Sequence, residues 1–304
     1  MKKHVEPSRI KLIRFIFCFS IFAFTNLFAD ATIYTWNLFN FGKAKLAKED
    51  AMDYIAETLK NADITTIQEV STGIYGAKAV ATLVDLLNRK GAKWDYRVSE
   101  PTTGDGSERY AIIFKPSKAK LIGKPWLEQT LEERINREPF MARFRISETA
   151  KNDCADRRCI LIATFHAVPT AKDPASEIEL LSELKTLYPE DNIILTGDFN
   201  LSEKDSAFDG LKKKGLLPCL KNQKTSLRVR EKDGEHLAKE YDNIFFESST
   251  LAFSSCKAVD FVTDFEDLRA AHNISDHLPV FMNVDWLAPL KEIKPEAVEV
   301  PATP

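Results

Sequence analysis

Apolar positions along the chain recur with two different periods. Short apolar runs at 31–36, 64–68, 94–98, 109–115, 140–146, 159–165, 192–197, 241–246 and 279–284 have the length and bounding turn residues of strands. Longer segments carry a helical stripe: 46–60 with Met52, Ile55 and Leu59, 76–90 with Ala79, Leu83 and Leu86, and 174–188 with Ile178, Leu181, Leu184 and Tyr188. Asp173 and Pro174 predict an N-cap and first helical position for the third, and Gly91 and Gly215 fit helix stops. The runs NIILTG and CILIATF are apolar on both faces, as expected where helices cover one side of a sheet and a second sheet covers the other. No linker or repeat divides 30–286, which predicts one domain.

The two ends depart from this pattern. Lys2, Lys3, Arg9, Lys11 and Arg14 precede an apolar run from Phe15 to Phe28 that ends at Ala29-Asp30-Ala31, the order of a secretory signal peptide over 1–29, cleaved after Ala29 or Ala31. The run is shorter than the roughly 20 apolar residues that span a bilayer, although Leu12 and Ile13 extend it, leaving an uncleaved anchor as the other reading. Residues 287–304, rich in Pro, Ala, Glu and Val, predict a disordered tail. Whole, the chain has net charge −3; without residues 1–29 it keeps 37 basic against 44 acidic residues, a net −7. Long-range attraction to a polyanion is therefore excluded, and a nucleic-acid substrate has to be argued from a site. Cys18 lies in the leader; the other four cysteines of an exported chain predict disulfides Cys154–Cys159 and Cys219–Cys256. A zinc site is not expected, since neither pair has C-x-x-C spacing and no histidine lies close by.

Groups with chemistry sit just past the strand ends. Asn37 follows ATIYTW, Glu69 follows ITTIQ, His166 ends CILIATFH, Asp198 and Asn200 follow NIILTG, and Asp276-His277 precede LPVFMNV. Strand-end loops are where a rigid sheet gathers polar groups into a crevice. Alone, GDFN describes an Asx-turn, QEV an exposed glutamate and SDH a capped turn; together they describe a site. Carboxylates with waters and substrate oxygens suit a hard cation such as Mg²⁺. Two histidines suit phosphodiester hydrolysis, one activating water and one protonating the leaving oxygen. In an extended segment, Asp276 and His277 should point to opposite sides.

The ordered set TWNLFNFG, TTIQEV, SEPTTGDGSERYAIIFKP, NREPF, ATFHAVP, LTGDFN, EYDNIFF and SDHLPV resembles the endonuclease/exonuclease/phosphatase superfamily, and within it the deoxyribonuclease I-like secreted bacterial nucleases, over residues 32–284. The resemblance implies an α+β fold, a four-layer α/β/β/α sandwich of two mixed sheets. It implies a monomeric enzyme, secreted or periplasmic and without stable membrane association, that cuts DNA to 5′-phosphate and 3′-hydroxyl ends. The cofactor implied is Mg²⁺, with Mn²⁺ as a substitute and a structural Ca²⁺ as an addition. It pairs His166 with Glu108 and His277 with Asp242, sets Asn37, Glu69 and Asp276 near one metal, and sets Asp198 and Asn200 near the phosphate or a second metal. Arg137 would contact a substrate phosphate, or else form a surface salt bridge; Trp36 and Tyr241 are expected as core aromatics.

The sequence departs from that branch at Phe39 and Ser71, where basic residues are usual, and at Gly106, where a minor-groove tyrosine is usual. Lys212-Lys213-Lys214 and the stretch from Lys221 to Arg230 are read as solvated surface before phosphate contacts. Phospholipid or inositol phosphate is the alternative substrate class; the chain lacks the apolar, aromatic-rich hairpin of membrane-acting members. A non-enzymatic binding protein is the third reading, opposed by the complete set of ligands and histidines.

Overall fold

The computed structural model describes residues 29–146 and 159–287 except positions 105 and 132. The expected leader up to residue 28, Cys154 and the tail beyond Leu287 lie outside these described residues. The strands are β1 (Ala31–Phe41), β2 (Ile64–Val70), β3 (Asp95–Val98), β4 (Arg109–Phe114), β5 (Ala119–Leu127), β6 (Phe140–Ile146), β7 (Cys159–His166), β8 (Asn192–Asp198), β9 (Leu216–Pro218), β10 (Leu227–Lys232), β11 (Glu235–Leu237), β12 (Asp242–Glu247), β13 (Leu251–Ala258) and β14 (Val280–Trp286). The helices are α1 (Lys43–Leu46), α2 (Glu49–Leu59), α3 (Ile74–Arg89), α4 (Pro174–Leu181), α5 (Leu184–Leu187), α6 (Asp209–Lys213) and α7 (Leu268–Ala271).

Two six-stranded sheets run β13-β14-β1-β2-β4-β3 and β5-β6-β7-β8-β12-β9. Both are mixed: β1–β2 and β7–β8 pair in parallel while the other named pairs are antiparallel. Three cores make the four layers expected. Ile33, Ile64, Ile112, Phe144, Ile162, Ile194 and Met282 pack between the sheets. Met52, Ile55, Val80 and Leu83 fill the space between the first sheet and α2–α3. Ile178, Leu181, Phe208 and Leu211 do the same between the second sheet and α4–α6. Each such side chain, fully buried, contributes about 1.5–3 kcal/mol of transfer free energy. At one end the inter-sheet core turns polar: Thr66 and Thr196 share a hydroxyl hydrogen bond of 2.8 Å, and Gln68 donates to Thr164 at 2.8 Å. These bonds fix the sheets against each other beneath the strand ends that carry the candidate residues.

Several expectations need correction. The stripe at 174–188 is broken at Ser182–Glu183 into α4 and α5, and Asp173 occupies the N-cap position with φ 59° but makes no side-chain cap. Strands β5, β9, β10, β11 and β13 were not expected. β5 is interrupted by Gly123 and Pro125, with a register shift between Ile122 and Trp126, and β13 is an edge strand that exposes Phe253, Ser254 and Lys257. Cys219 and Cys256 form the expected disulfide, tying the second sheet to the edge of the first.

Candidate active site

Strand register assembles the site. In the β7–β8 ladder His166 stands opposite Asp198, and in the β8–β12 ladder Asp198 stands opposite Asp242. Three side chains from distant parts of the sequence are thereby set in a row across adjacent strands. The close approach needs Gly197, whose φ is +140°: a Cβ there would lie 1.8 Å from the Phe165 carbonyl oxygen. From the other sheet, β1 and β2 bring Asn37 and Glu69, and the segment before β14 brings Asp276 and His277. The resulting cleft, about 420 Å³, is lined by Glu69, Glu108, Arg137, His166, Asp198, Asn200, Asp276 and His277. A larger groove of about 830 Å³ beside Trp126 and Tyr188 shares none of these residues and holds no histidine.

The two imidazoles converge. His166 Nε2 and His277 Nε2 each lie 3.5 Å from the same Oδ2 of Asp198. Behind each ring is a buried carboxylate: His166 Nδ1 is 2.9 Å from Glu108 Oε2, and His277 Nδ1 is 2.7 Å from Asp242 Oδ2. Burial disfavours charge on His166, but Glu108 and then Asp198 outweigh it and raise the pKa above 6.5. His277 is raised well above 6.5, because Asp242 and Asp198 together overcome the same burial. Burial pushes Asp198 and Glu108 upward, yet the neighbouring cations leave both below their ordinary values: His277 and His166 act on Asp198, His166 and Arg137 on Glu108. Asp242 goes the other way, held up by burial and by the like charge of Asp198 despite His277. The two carboxylates share one imidazolium, and Asp242 is the one left short.

Each ring is also held from its backbone. The His166 backbone N–H donates to Tyr110 Oη at 3.1 Å. Trp36 Nε1 donates to the His277 carbonyl at 2.8 Å, and the His277 N–H donates to Ser275 Oγ at 3.0 Å. Trp36 is fully buried, as expected. Tyr241 is not a core residue: it is half-buried, its ring stacks over His277 with centroids 6.4 Å apart, and its hydroxyl meets Thr170 at 2.9 Å.

Arg137 is neither exposed nor part of a surface salt bridge. Its Nη1 donates to Glu108 at 2.9 Å and lies 2.8 Å from His166 Nδ1, while Nη2 donates to the Ala167 carbonyl at 2.9 Å. Nδ1 cannot serve both neighbours at once. With a proton it donates to Glu108; without one it accepts from Arg137.

Asn37 Nδ2 donates to Glu69 Oε1 at 2.9 Å and to Asp198 Oδ2 at 3.0 Å, and its Oδ1 accepts from Phe39 N at 3.0 Å. The amide nitrogen, not the oxygen, therefore faces the carboxylates. Asp198 Oδ1 does accept from Asn200 N at 2.9 Å, so the Asx-turn in GDFN and the cleft-facing Oδ2 coexist. Asn200 Nδ2 donates to the Ala167 carbonyl at 3.0 Å. Asp276 and His277 both line the cleft instead of pointing apart, because the chain bends at Asp276 before β14 begins.

Asp276 Oδ1 is buried without a hydrogen-bond partner among the described residues, on the cleft that Glu69 also lines. A buried orphan carboxylate oxygen beside a second carboxylate fits a hard divalent cation. Asp198, Asp242 and His277 also bring possible ligand atoms within 4.8 Å of one another, but there His277 Nδ1 is already committed to Asp242.

Tyr110, Ser275 and Glu177 each have a part in this arrangement and escaped sequence reasoning. Glu177, in the first turn of α4 and only 3% exposed, accepts from Asn136 N at 2.8 Å through Oε1 and from Val168 N at 2.8 Å through Oε2. One carboxylate thus holds the loop before Arg137 and the loop after His166. Its signal was available: Glu177 falls on the stripe of Pro174, Ile178 and Leu181, where an acid is out of place. His236 pairs with Asp260 at 2.7 Å and His272 with the Arg228 carbonyl at 2.9 Å, both away from the cleft. Lys214 binds Ser182 and Thr186, and Lys224 pairs with Glu235; neither basic run lines the cleft. No helix among the described residues is long and apolar enough to cross a membrane.

The Endonuclease/Exonuclease/phosphatase family profile matches residues 34–277. Among curated relatives, Deoxyribonuclease-1-like 1 of Sus scrofa is 28% identical over 253 residues, covering 78% of this chain and 75% of that protein. Deoxyribonuclease-1 of Bos taurus is 28% identical over 178 residues, 55% of this chain and 60% of that protein. Among solved structures, an endonuclease/exonuclease/phosphatase family protein from Bacteroides thetaiotaomicron superposes with TM-score 0.61 at 18% identity, covering 84% of this chain and 97% of that one. A mannosyl-6-phosphatase from the same species superposes with TM-score 0.59 at 18% identity, covering 84% and 99%. With a match from the first strand to His277, and two packed sheets that share the fold of these structures, this chain belongs to the Endonuclease/Exonuclease/phosphatase family.

Proposed function

We propose that the protein is an exported, metal-dependent endonuclease that hydrolyses DNA phosphodiester bonds. The observation that carries this reading is the meeting of two carboxylate-backed imidazoles on one Asp198 oxygen, next to Glu69 and Asp276. Similarity to deoxyribonuclease-named relatives supports DNA as the substrate. Export rests on the composition of residues 1–29.

The scissile phosphate enters the cleft between the two histidines. Glu69 and Asp276 would hold the divalent cation, Mg²⁺ or Mn²⁺, which when bound neutralises charge growing on the non-bridging phosphate oxygens. Asn37 orients Glu69 and Asp198 through its amide. His166 is assigned as the base, on the side of the cleft where the Arg137 guanidinium lies 2.8 Å from its Nδ1 and opposes a second positive charge. It takes a proton from the attacking water as the new P–O bond forms. His277, kept charged by Asp242 and Asp198, gives its proton to the 3′ oxygen as that P–O bond breaks. The products carry a 5′-phosphate and a 3′-hydroxyl. Arg137 steadies Glu108 and His166 and presents its guanidinium edge to the phosphate, and Asn200 borders the same oxygens.

The experiment is conversion of supercoiled plasmid to nicked circles by the purified protein with Mg²⁺. Nicking that stops with EDTA and with His166→Ala is expected. Intact plasmid throughout a metal series, or undiminished nicking by His166→Ala, would overturn the reading.

A further inference from the structure

The lip of the cleft formed by β1 and the start of α3 has an unusual build. In the parallel β1–β2 ladder Asn37 pairs with Gln68, and the next pair is Phe41 with Val70, so β1 bulges outward between them. At the crest, Phe39 and Asn40 have φ of 44° and 53°, in the left-handed region that a bulky side chain avoids. The Phe39 ring is nevertheless 41% exposed. Strain and an exposed aromatic ring, two unfavourable features at one residue, mark a local purpose other than packing. The crest is tied to the site, since Phe39 N donates to Asn37 Oδ1 at 3.0 Å and Asn40 N to Glu69 Oε2 at 2.8 Å.

The neighbouring segment adds to the same lip. Ser71 N donates to the Phe41 carbonyl at 3.0 Å, and a Cβ on Gly42 would come within 2.3 Å of Ser71 Oγ, so the two segments are packed tightly. Asn40 and Ser71 both line the cleft. Just beyond Ser71, Tyr75 is 41% exposed with Lys43 Nζ 5.4 Å above its ring, and Ile74 is 78% exposed. Cations are scarce here. The one arginine lining the cleft has its charge already paired with Glu108, and the whole chain is net acidic.

We infer that this lip is a stacking platform for unpaired bases, and that the preferred substrate is single-stranded DNA. An aromatic face is usable only by a base released from its pair, and stacking on it is tolerant of sequence. Duplex grip depends mainly on many cations along the phosphates, and this lip offers few, Lys43 over Tyr75 and Arg109 against the Thr72 carbonyl. Phe39 takes the base next to the scissile phosphate, and Tyr75 with Lys43 takes the strand further along. The inference deepens the proposed function and rests on it.

The test compares kcat/KM for a fluorescein-labelled 30-nucleotide strand with that for the same strand in a duplex, with Mg²⁺. The single strand should be cut at least tenfold more efficiently. Phe39→Ala and Tyr75→Ala should each lower single-strand kcat/KM by about 5- to 100-fold, mainly through KM, and shrink the ratio of single strand to duplex. Phe39→Trp should keep the ratio. Phe39→Gly removes the ring while relieving the positive φ, so it should lose the preference without a fall in Tm. A duplex cut as well as or better than the single strand, or an unchanged ratio in Phe39→Gly, would overturn the inference and leave the nuclease reading intact. Cleavage of neither DNA would overturn both.

Discussion

Asp242→Asn isolates the electrostatic part of the mechanism. The substitution keeps the shape of a fully buried side chain whose Oδ2 lies 2.7 Å from His277 Nδ1 and whose Oδ1 has no partner among the described residues. It removes the charge that holds His277 in its protonated form. Two unit charges about 4 Å apart at an effective dielectric constant near 20 interact by about 4 kcal/mol. At 1.36 kcal/mol per tenfold, that is about 10³ in rate if the whole of it acts in the transition state. Asp198 stays 3.5 Å from the other ring nitrogen and retains part of the effect. The expected result is a fall in kcat of about 10³-fold with KM within about threefold. Stability should change little, because the substitution also removes the like charge that Asp198 opposes. Steady-state cleavage of a fluorescent oligonucleotide with Mg²⁺, alongside thermal unfolding, measures both. A variant that keeps kcat within tenfold of the parent from pH 5 to pH 9 would refute the reasoning.

Other perturbations test separate parts of the account. Glu177→Gln leaves an amide donor facing either Asn136 N or Val168 N; it should lower kcat by about 10- to 100-fold and shift the pH profile, since Arg137 and His166 both move, with little change in Tm. His166 and His277 are raised above the ordinary 6.5, so their contribution to stability is complete below that value and lost as pH rises through the raised ones. In EDTA the Tm of the parent should therefore fall from pH 6 to pH 9 more steeply than that of His277→Gln, and parallel curves would count against the ion network. Cys219 and Cys256 close a loop with a sequence separation of 37, for which chain entropy gives about 4 kcal/mol; replacing both by Ser should lower unfolding free energy in urea by about 2–4 kcal/mol. Asp276→Asn should weaken the dependence on Mg²⁺, seen as a rise of at least tenfold in the Mg²⁺ concentration for half-maximal cleavage.

Much of the fold was legible because its central strands are apolar on both faces. β7 and β8 are buried throughout, and such runs stand out in any window. The outer strands were not. β13 has no clean alternation, exposing adjacent Phe253 and Ser254 at a register shift, and β5 is broken by Gly123 and Pro125, so pairing with a neighbour, not composition, makes them strands. The single stripe over 174–188 concealed a break at Ser182, which intrinsic helix propensity does not forbid.

The site was legible for a related reason. Its residues terminate strands, and strand ends are visible in sequence even when strand order is not. What sequence could not give was register: nothing local says that His166, Asp198 and Asp242 fall in one row, or that Asp276 turns into the cleft beside His277. Arg137 was expected at a substrate phosphate or else in a surface salt bridge, and its buried pairing was hidden because its partners, Glu108 and the Ala167 carbonyl, are 29 and 30 residues away. Tyr241 looked like core because it abuts the apolar run of β12, whereas its ring covers His277. Phe39 stands where the resembled nucleases carry a basic residue, and only the backbone reveals its cost in φ.

The central claim is that both imidazoles act on one phosphate. The most direct measurement is kcat for His166→Ala, His277→Ala and the double variant on one oligonucleotide with Mg²⁺. Groups that work as a unit are strongly non-additive, so each single variant should lose at least about 10³-fold and the double variant no more than about tenfold beyond the worse of them. Losses that multiply, or a single variant with near-parental kcat, would contradict it.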